Sequence, residues 1–600
     1  MAKMCSTFVP EQGSSGRPHT TRPVVYSTQG IISSGHYLTS MAGMRMLLDG
    51  GNAFDAVVAA GFAAVVVEPI ASYSIAAEGV FMLYHKSSGD VLSLSGQGTA
   101  PRRATIDFYK SQGLTSIPTG PGPQAHLSFT VPGIVDAYIA LLERYGTKTL
   151  GETMAPAVRY AERGIPHWEY MVDALDSDAT RRQFDLYPPG GMDVFYEGGS
   201  LPRPGALLVQ AGLANTLKRL ASAENSASGN RLKGLRAARD SFYCGEIAQT
   251  IVNCSASVGG ILGLDDLADY HATFEEPSET SFHGYRICGQ TSWSQAPALL
   301  QALNILERFD LESMGHNTPI YIHNVVESLK LAMADREAYY GDPNFVSVPL
   351  DGLVSKEYAV QRACLVDVDC ASSELPSPGD PWQYSAAEGA RVLATTRSHG
   401  SGCDDGATQG TTHISVLDQD GNIVAATPSG GAFSKSVFFP ELGCALSTRI
   451  EMFNFEDGHA NALEPRKRPR TTLVNYIVLE DGVPTMAVGC PGGDHQVQAN
   501  LQLLLNTLVF KMNPQEAIEA PRFATDSVMN SFYPHVYYPG QLSMEDGFPD
   551  QTIDALKSLG HKVVRAAVCG MGATVSRRDL GTGVLSTGAD PRRACYALGC

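Results

Sequence analysis

The sequence predicts a layered fold that mixes α-helices with antiparallel β-strands. Three observations carry this. From Gly35 to about Val172, helical and strand-like patterns alternate. After residue 411, two pairs of alternating apolar strands each turn on an Asp-Gly dipeptide, at Asp420-Gly421 and Asp481-Gly482, a signal of tight hairpins. Long apolar helical stretches, AVVAAGFAAVVV (56–67) early in the chain and VQANLQLLLNTLVF after the second strand pair, accompany the strands. Strand pairs interleaved with apolar helices suit sheets covered by helical layers.

Taken in order, residues 1–34 form a lead, polar through residue 23 and expected to be mobile. AGMRMLLDGGNAFDAVVAAGFAAVVVEP reads as two helices joined by a Gly-Gly turn and stopped at Glu68-Pro69. GVFMLYHKSSGDVLSLSG reads as a hairpin. GIVDAYIALLERYG and LGETMAPAVRYAERG read as helices, each ended by glycine. Residues 177–240 are poorer in apolar side chains and read as a variable excursion with short helices. PALLQALNILERF and HNVVESLKLAMADREAYYG carry apolar residues at three-four spacing, the mark of amphipathic helices. Residues 371–410 read as a linker closing a large part (35–410), and 411–600 as a smaller part built of strands, helices, then strands.

Composition bounds the function. The 600 residues are 44% hydrophobic and 18% charged, a globular rather than a disordered balance. The formal net charge of -18 repels phosphate backbones, so no nucleic-acid partner is expected. The one compact basic run, Arg466-Lys467-Arg468-Pro469-Arg470, reads equally well as a solvated loop or as a neighbour of an anionic substrate. Twelve cysteines show no CxxC or other zinc spacing, so neither a metal nor another cofactor is expected. The N-terminus has no apolar secretory core, and the longest apolar run is too short to span a bilayer. The expectation is a cytoplasmic protein without a membrane partner.

The junction GTTHISVLDQDGNIVAATPSGG, starting at Gly410, carries the chemistry. A two-residue loop at Asp420-Gly421 would set Thr412 opposite Ser429 and Thr411 opposite Gly430, with opposed Cβ atoms roughly 4.5–5.5 Å apart. A threonine hydroxyl is a poor nucleophile without a base. No Ser-His-Asp grouping can be assigned. A free α-amine, with an ordinary pKa of about 7.7–8, supplies a base on the same residue. Thr411 has that amine only if the Gly410–Thr411 bond is cut, and the loose tract SHGSGCDDGATQG before it gives the bond room to react. An oxyanion also needs donors. The turn Pro491-Gly492-Gly493 can present successive N–H groups as a nest, although taken alone it reads first as an ordinary Pro-Gly turn.

Together these residues resemble the gamma-glutamyltranspeptidase family of N-terminal nucleophile hydrolases. The resemblance runs from about residue 35 to 593 through LLDGGNAFDAVVAA, VEP, VPGIVDAY, APAVRYAERG, LDDLADYHA, ALNILERFDL, LKLAMADREAYYGDP, TTHISVLDQDGNIVA, KRPRTTL, CPGGDHQ, AIEAPRF and GADPRR. It implies an αββα sandwich, cut before Thr411 into a large and a small chain that remain together as a heterodimer. It implies Thr411 as nucleophile, Ser429 as an assisting hydroxyl, Gly492 and Gly493 as oxyanion donors, and Thr471 and Thr472 near the substrate carboxylate.

The departures bear on substrate. Gln97 stands where the family's carboxylate-binding Arg is expected, and Gly431 stands where transpeptidases carry Asn. The tract Ser447-Thr448-Arg449-Ile450-Glu451-Met452-Phe453 replaces a more acidic one. Arg449 and Glu451 are then candidate substrate contacts, with Arg449 holding a carboxylate from the opposite wall. Arg449, GHANALEPRKRP and GGDHQVQ are more similar to a signal-less branch that includes simple amide hydrolases such as oxamate amidohydrolase.

Three functions follow. The leading one is a self-processed threonine hydrolase or acyltransferase acting on small γ-glutamyl amides such as glutathione or its conjugates. The second is an amidohydrolase of another small acyl amide, without γ-glutamyl handling. The third is a non-catalytic scaffold of the same fold.

Overall fold

The structure is a computed structural model that describes residues 20–386, 398–399, 410–431 and 433–600. Two seven-stranded antiparallel sheets form its centre. The first runs Tyr596–Gly599, Gly30–Ser34, Ile414–Asp418, Ile423–Ser429, Glu78–His85, Asp90–Gly96 and Thr273–Glu275 in spatial order. The second runs Val25–Ser27, Leu585–Ala589, Thr574–Arg578, Val483–Gly489, Tyr476–Glu480, Tyr285–Gly289 and Ser278–Phe282.

The sheets pack face to face through Ile31, Met82, Leu417, Ile423, Ala425, Ile477, Ala487 and Leu585. Helices cover both outer faces. Ala53–Val67 packs on the first sheet with Ile134–Tyr145 and Leu150–Arg163. Ala296–Leu306, Pro319–Tyr339 and His495–Leu508 cover the second. The result is the αββα sandwich. Strands buried on both faces explain why IVAATPS and YIVLE carry near-continuous apolar runs.

Ala53–Val67 shows how sequence fixes an element. Asn52 caps it in a reciprocal capping box with Asp55, and all fifteen of its residues are buried. An Ala- and Val-rich helix lacking a polar face has no other stable placement.

Three expectations need correcting. The mobile lead ends before residue 34: Val25–Ser27 and Gly30–Ser34 are strands, one in each sheet. Ile31 faces the opposing sheet and Ile32 faces the helices, so this short apolar pair is anchored from both sides. Residues 1–19 lie outside the described residues. The excursion at 177–240 is not built of short helices only. Ala211–Ser226 and Arg231–Tyr243 are full-length helices that bury Leu213, Leu217, Leu220, Leu235 and Phe242 in the main core. The linker at 371–410 is ordered at its start, where the Ala371 N–H donates to the Leu559 carbonyl. Residues 387–397 and 400–409 of that linker lie outside the described residues.

Candidate active site

The hairpin at Asp420-Gly421 differs from expectation by one residue, and the difference decides the site. The pairs are Ile414 with Ala426, Ser415 with Ala425, Val416 with Val424, and Leu417 with Ile423. The Asp418 N–H donates to the Asn422 carbonyl. Gln419, Asp420 and Gly421 therefore form a three-residue loop, with Gly421 at φ 93°. This is the hairpin that ends on a left-handed glycine. Asp418 stabilises it by accepting from the N–H groups of Gly421 and Asn422 at 3.0 and 2.9 Å. Continuing the ladder sets Thr412 opposite Pro428 and Thr411 opposite Ser429 rather than Gly430. By contrast, Asp481-Gly482 is the expected two-residue turn, with both residues at positive φ.

Thr412 and Pro428 fall at a hydrogen-bonded pair of the ladder. The Thr412 N–H donates to the Pro428 carbonyl at 3.2 Å, but proline has no N–H to return. The ladder stops there. Thr411, released from strand geometry, takes φ 94°, an outlier for a β-branched residue. It is held instead by three contacts. Its N–H donates to the Ala71 carbonyl. Its carbonyl accepts from Arg593 Nη1 at 2.6 Å. Its Oγ1 donates to Ser429 Oγ at 3.0 Å.

The Ala71 contact follows from how the buried helix ends. Glu68 caps Ala53–Val67 with non-helical backbone, Pro69–Ala71 makes one tight turn, and Ser72 sits in the left-handed region at φ 55°. This bend brings Glu68, the Ala71 carbonyl and Ser72 to the Thr411 junction.

Thr411 opens into a cleft of about 40 Å³ lined by Ser72, Gly410, Ser429, Gly431, Ser434, Lys435, Arg449, Glu451, Gly493 and Phe532. Gly492 and Gly493 have φ of 131° and 55°, backbone that favours glycine. Among the described residues, neither N–H meets a protein acceptor. These are the properties of an anion-binding nest.

The charges of the cleft are mostly paired. Arg449 is buried and its Nε donates to Glu78 Oε1. Ser447 Oγ donates to the other Glu78 oxygen at 2.7 Å. Burial raises the Glu78 pKa, against the pull of Arg449. Glu451 is fully buried, with Oε2 3.3 Å from Lys435 Nζ and no partner on Oε1 among the described residues. A Cβ on Gly431 would stand 3.1 Å from that free oxygen, so the missing side chain keeps space open beside it.

The structure thus brings Gly410, Thr411, Ser429, Arg449, Glu451 and Gly493 to one cleft. Gly492 is next to it on the same turn. Thr472 lies close behind, because Gln295 Nε2 donates both to its carbonyl (2.9 Å) and to that of Gly493 (3.1 Å). Thr471 Oγ1 accepts from the Leu473 N–H at 3.3 Å, and neither threonine lines the cleft. Gln97 lines a different cavity of about 150 Å³, with Ser95, Tyr270, Arg466 and Arg468.

The basic run is not a solvated loop as a whole. Arg468 pairs with Asp342 and Glu275, and buried Arg470 pairs with Glu337. Outside the cleft, His323, Glu327 and His561 have metal-ligand types within 4.8 Å of one another. Lys330 Nζ already sits 2.7 Å from Glu327, and the two rings bond each other at 3.0 Å. His413 does not line the cleft either. Its Nδ1 meets Thr427 Oγ1 at 2.8 Å, and burial lowers its pKa to about 3.

Sequence reasoning missed Glu78, Lys435, Phe532, Ser72 and the pair Glu68–Arg593. Glu68 and Arg593 lie in the quoted stretches VEP and GADPRR, but 525 positions separate them. No local pattern joins residues so distant.

The comparisons agree with this architecture. A family profile described as Gamma-glutamyltranspeptidase matches residues 39–600. The chain is 32% identical over 583 residues to the "Glutathione hydrolase-like YwrD proenzyme" of Bacillus subtilis, covering 96% of this chain and 99% of that one. It is similar to the solved structure of LmbA2991HD, at 39% identity and a TM-score of 0.85 over 97% of this chain and 100% of that chain. It is also similar to the cephalosporin acylase from Bacillus halodurans, at 29% identity and a TM-score of 0.82 over 98% of this chain and 99% of that chain. Among the described residues no helix is long and apolar enough to cross a membrane. The chain is an enzyme of the gamma-glutamyltranspeptidase family.

Proposed function

We propose that this enzyme is a self-processed threonine hydrolase or acyltransferase that acts on small γ-glutamyl or related acyl amides through an acyl-enzyme. One observation carries the reading: Thr411 Oγ1, on strained backbone at φ 94°, donates to Ser429 Oγ at 3.0 Å in a cleft that also holds Gly410 and Gly493.

Processing comes first. The Thr411 oxygen attacks the Gly410 carbonyl carbon, and the hydroxyl proton passes to the departing nitrogen as the C–N bond breaks. The residue is then an ester of Gly410 carrying a free α-amine. Water cleaves the ester, leaving the Gly410 carboxylate and restoring the Thr411 hydroxyl. The freed amine then serves as base when the same oxygen attacks a substrate amide. The N–H groups of Gly492 and Gly493 stabilise the oxyanion. Water resolves the acyl-enzyme to give hydrolysis, and an amine acceptor resolves it to give transfer. Relatives named as proenzymes support a processed enzyme of two associated chains.

The second reading, hydrolysis of a different acyl amide, is favoured by two placements. Arg449 is already paired with Glu78, and Gln97 faces another cavity. Acylases among the relatives and solved structures fit it as well.

Intact-mass analysis and N-terminal sequencing of purified enzyme test the processing. The expected result is two chains, one starting at Thr411, and a single uncut chain in Thr411→Ala. An uncut wild-type chain that still turns over amides would sink the reading. Release of the leaving group from a γ-glutamyl anilide, compared with release of ammonia from short acyl amides, separates the two substrate classes.

A further inference from the structure

We infer that the buried pair Glu68–Arg593 positions Thr411 for both self-cleavage and turnover by holding the residue's own carbonyl. This rests on the reading of Thr411 as nucleophile.

Thr411 lies outside the strand ladder, so nothing in the sheet fixes its carbonyl. Arg593 does so instead, with Nη1 donating at 2.6 Å. Its Nη2 reaches Glu68 Oε2 at 3.3 Å, and both side chains are fully buried. Glu68 is itself oriented, because Thr39 Oγ1 donates to its other oxygen at 2.7 Å. Gly35 permits the close approach: a Cβ there would stand 2.1 Å from Glu68 Oε2 and 2.3 Å from Thr412 Oγ1.

Arg593 is held from behind as well. Its guanidinium carbon lies 5.6 Å from the centre of the Tyr170 ring. Asp590, three residues earlier, pairs with Arg522 and Arg592. A fully buried guanidinium with one hand on a carboxylate and the other on a backbone carbonyl has little freedom. It therefore defines where the Thr411 backbone can lie. Orientation at this level governs how often the oxygen meets its target carbon.

The pair also spans the processing site. Glu68 and Ala71 precede the Gly410–Thr411 bond, whereas Arg593 follows it. After cleavage the large chain would still hold the new N-terminal residue of the small chain, indirectly through Arg593. Arg593 is thus a positioning residue, since it bonds the Thr411 carbonyl and does not line the cleft.

Replacing one member alone would leave a buried unpaired charge and threaten folding. The test therefore uses the double variant Glu68→Gln/Arg593→Met, which removes both charges, and Arg593→Lys, which keeps the pair but has only one nitrogen to share. Three quantities are read: the thermal midpoint, the rate of conversion to two chains, and kcat and KM of the cleaved fraction on an amide it accepts. The expected result is a folded double variant that cleaves at least tenfold more slowly. Its kcat falls at least tenfold, with KM within twofold of wild type. Arg593→Lys should recover part of both losses.

A double variant, or Arg593→Lys, that loses thermal stability yet cleaves and turns over within twofold of wild type overturns the inference and leaves a purely structural pair. Thr411→Ala, run beside them, separates the two ideas. If Thr411→Ala still cleaves, the nucleophile is wrong. If it does not cleave while the double variant behaves as wild type, only the positioning role fails.

Discussion

The Thr411 hydroxyl meets the Ser429 hydroxyl across a strand pair whose ladder ends one residue earlier, at Pro428. Opposed side chains come closest at the non-hydrogen-bonded pairs of an antiparallel ladder. Thr411 and Ser429 fall at such a position in the continued register. The three-residue turn around Gly421 creates that parity. A one-residue slip would move every side chain to the other face.

Ser429→Ala should therefore slow conversion of the precursor by roughly a hundredfold, the lower end of what a positioned acid–base group contributes. Ser429→Thr should retain part of the rate, because it keeps the hydroxyl. A gel time course of freshly made precursor reads both. Wild-type conversion in Ser429→Ala would show that the 3.0 Å contact is incidental.

Gly492→Ala tests the oxyanion turn. At φ 131° an L side chain is strained, so the turn should relax and swing its N–H away. The expected loss is about 10²–10³ in kcat, the effect of removing one oxyanion donor. KM should change little, because the ground-state carbonyl demands less of that donor than the transition state does. A loss confined to KM would argue for a substrate-shape role instead.

Much of this was legible in the chain. The buried helix ending at Glu68-Pro69, the second hairpin, the Gly492-Gly493 turn and the place of Thr411 at the mouth of the first hairpin all follow from local pattern. What was not legible depends on distance or on turn detail. Asp420-Gly421 signals a hairpin, yet Asp418 accepting from Gly421 and Asn422 selects the longer loop. Arg449 reads as a free anchor for a carboxylate, until folding sets Glu78 from a distant strand against it. Gln97 stands in the segment expected near the substrate, yet it lines a second cavity. Residues 25–34 look like a tail because each apolar pair is short, and only the sheets around them explain their order.

Arg449 and Glu78 give a stability prediction. Both are buried, and Ser447 bonds the carboxylate. Arg449→Met should destabilise the fold by about 3–5 kcal/mol, because it strands a buried carboxylate. The double variant Glu78→Gln/Arg449→Met should regain most of that. Denaturant midpoints of the three proteins check it. A single variant as stable as wild type would mean that the pair is open to solvent, and Arg449 would again be available to substrate.

The buried histidines set the acid side of stability. Burial holds His413 at about 3, and His561 at about 3 with Lys330 and His323 adding to the effect. His36 is also held at about 3, by burial and then by the nearby Arg593. In the unfolded chain each would titrate near the ordinary value of about 6.5. Between these limits the unfolded state binds protons that the folded state refuses, so stability rises with pH and is lost as pH falls below about 6.5. Each group contributes a slope of up to about 1.4 kcal/mol per pH unit in that window. The loss should begin above the range where carboxylates titrate, which separates the two causes. Thermal midpoints measured between about pH 7 and 5 should therefore fall steadily in wild type. They should fall less steeply in His413→Gln, whatever that change does to stability at neutral pH. Its ring packs where Gly489 has no Cβ, so a general loss of stability is expected and only the slope is diagnostic. An unchanged slope in His413→Gln would mean that His413 takes up its proton in the folded state, and that its site is wetter than the packing against Gly489 implies.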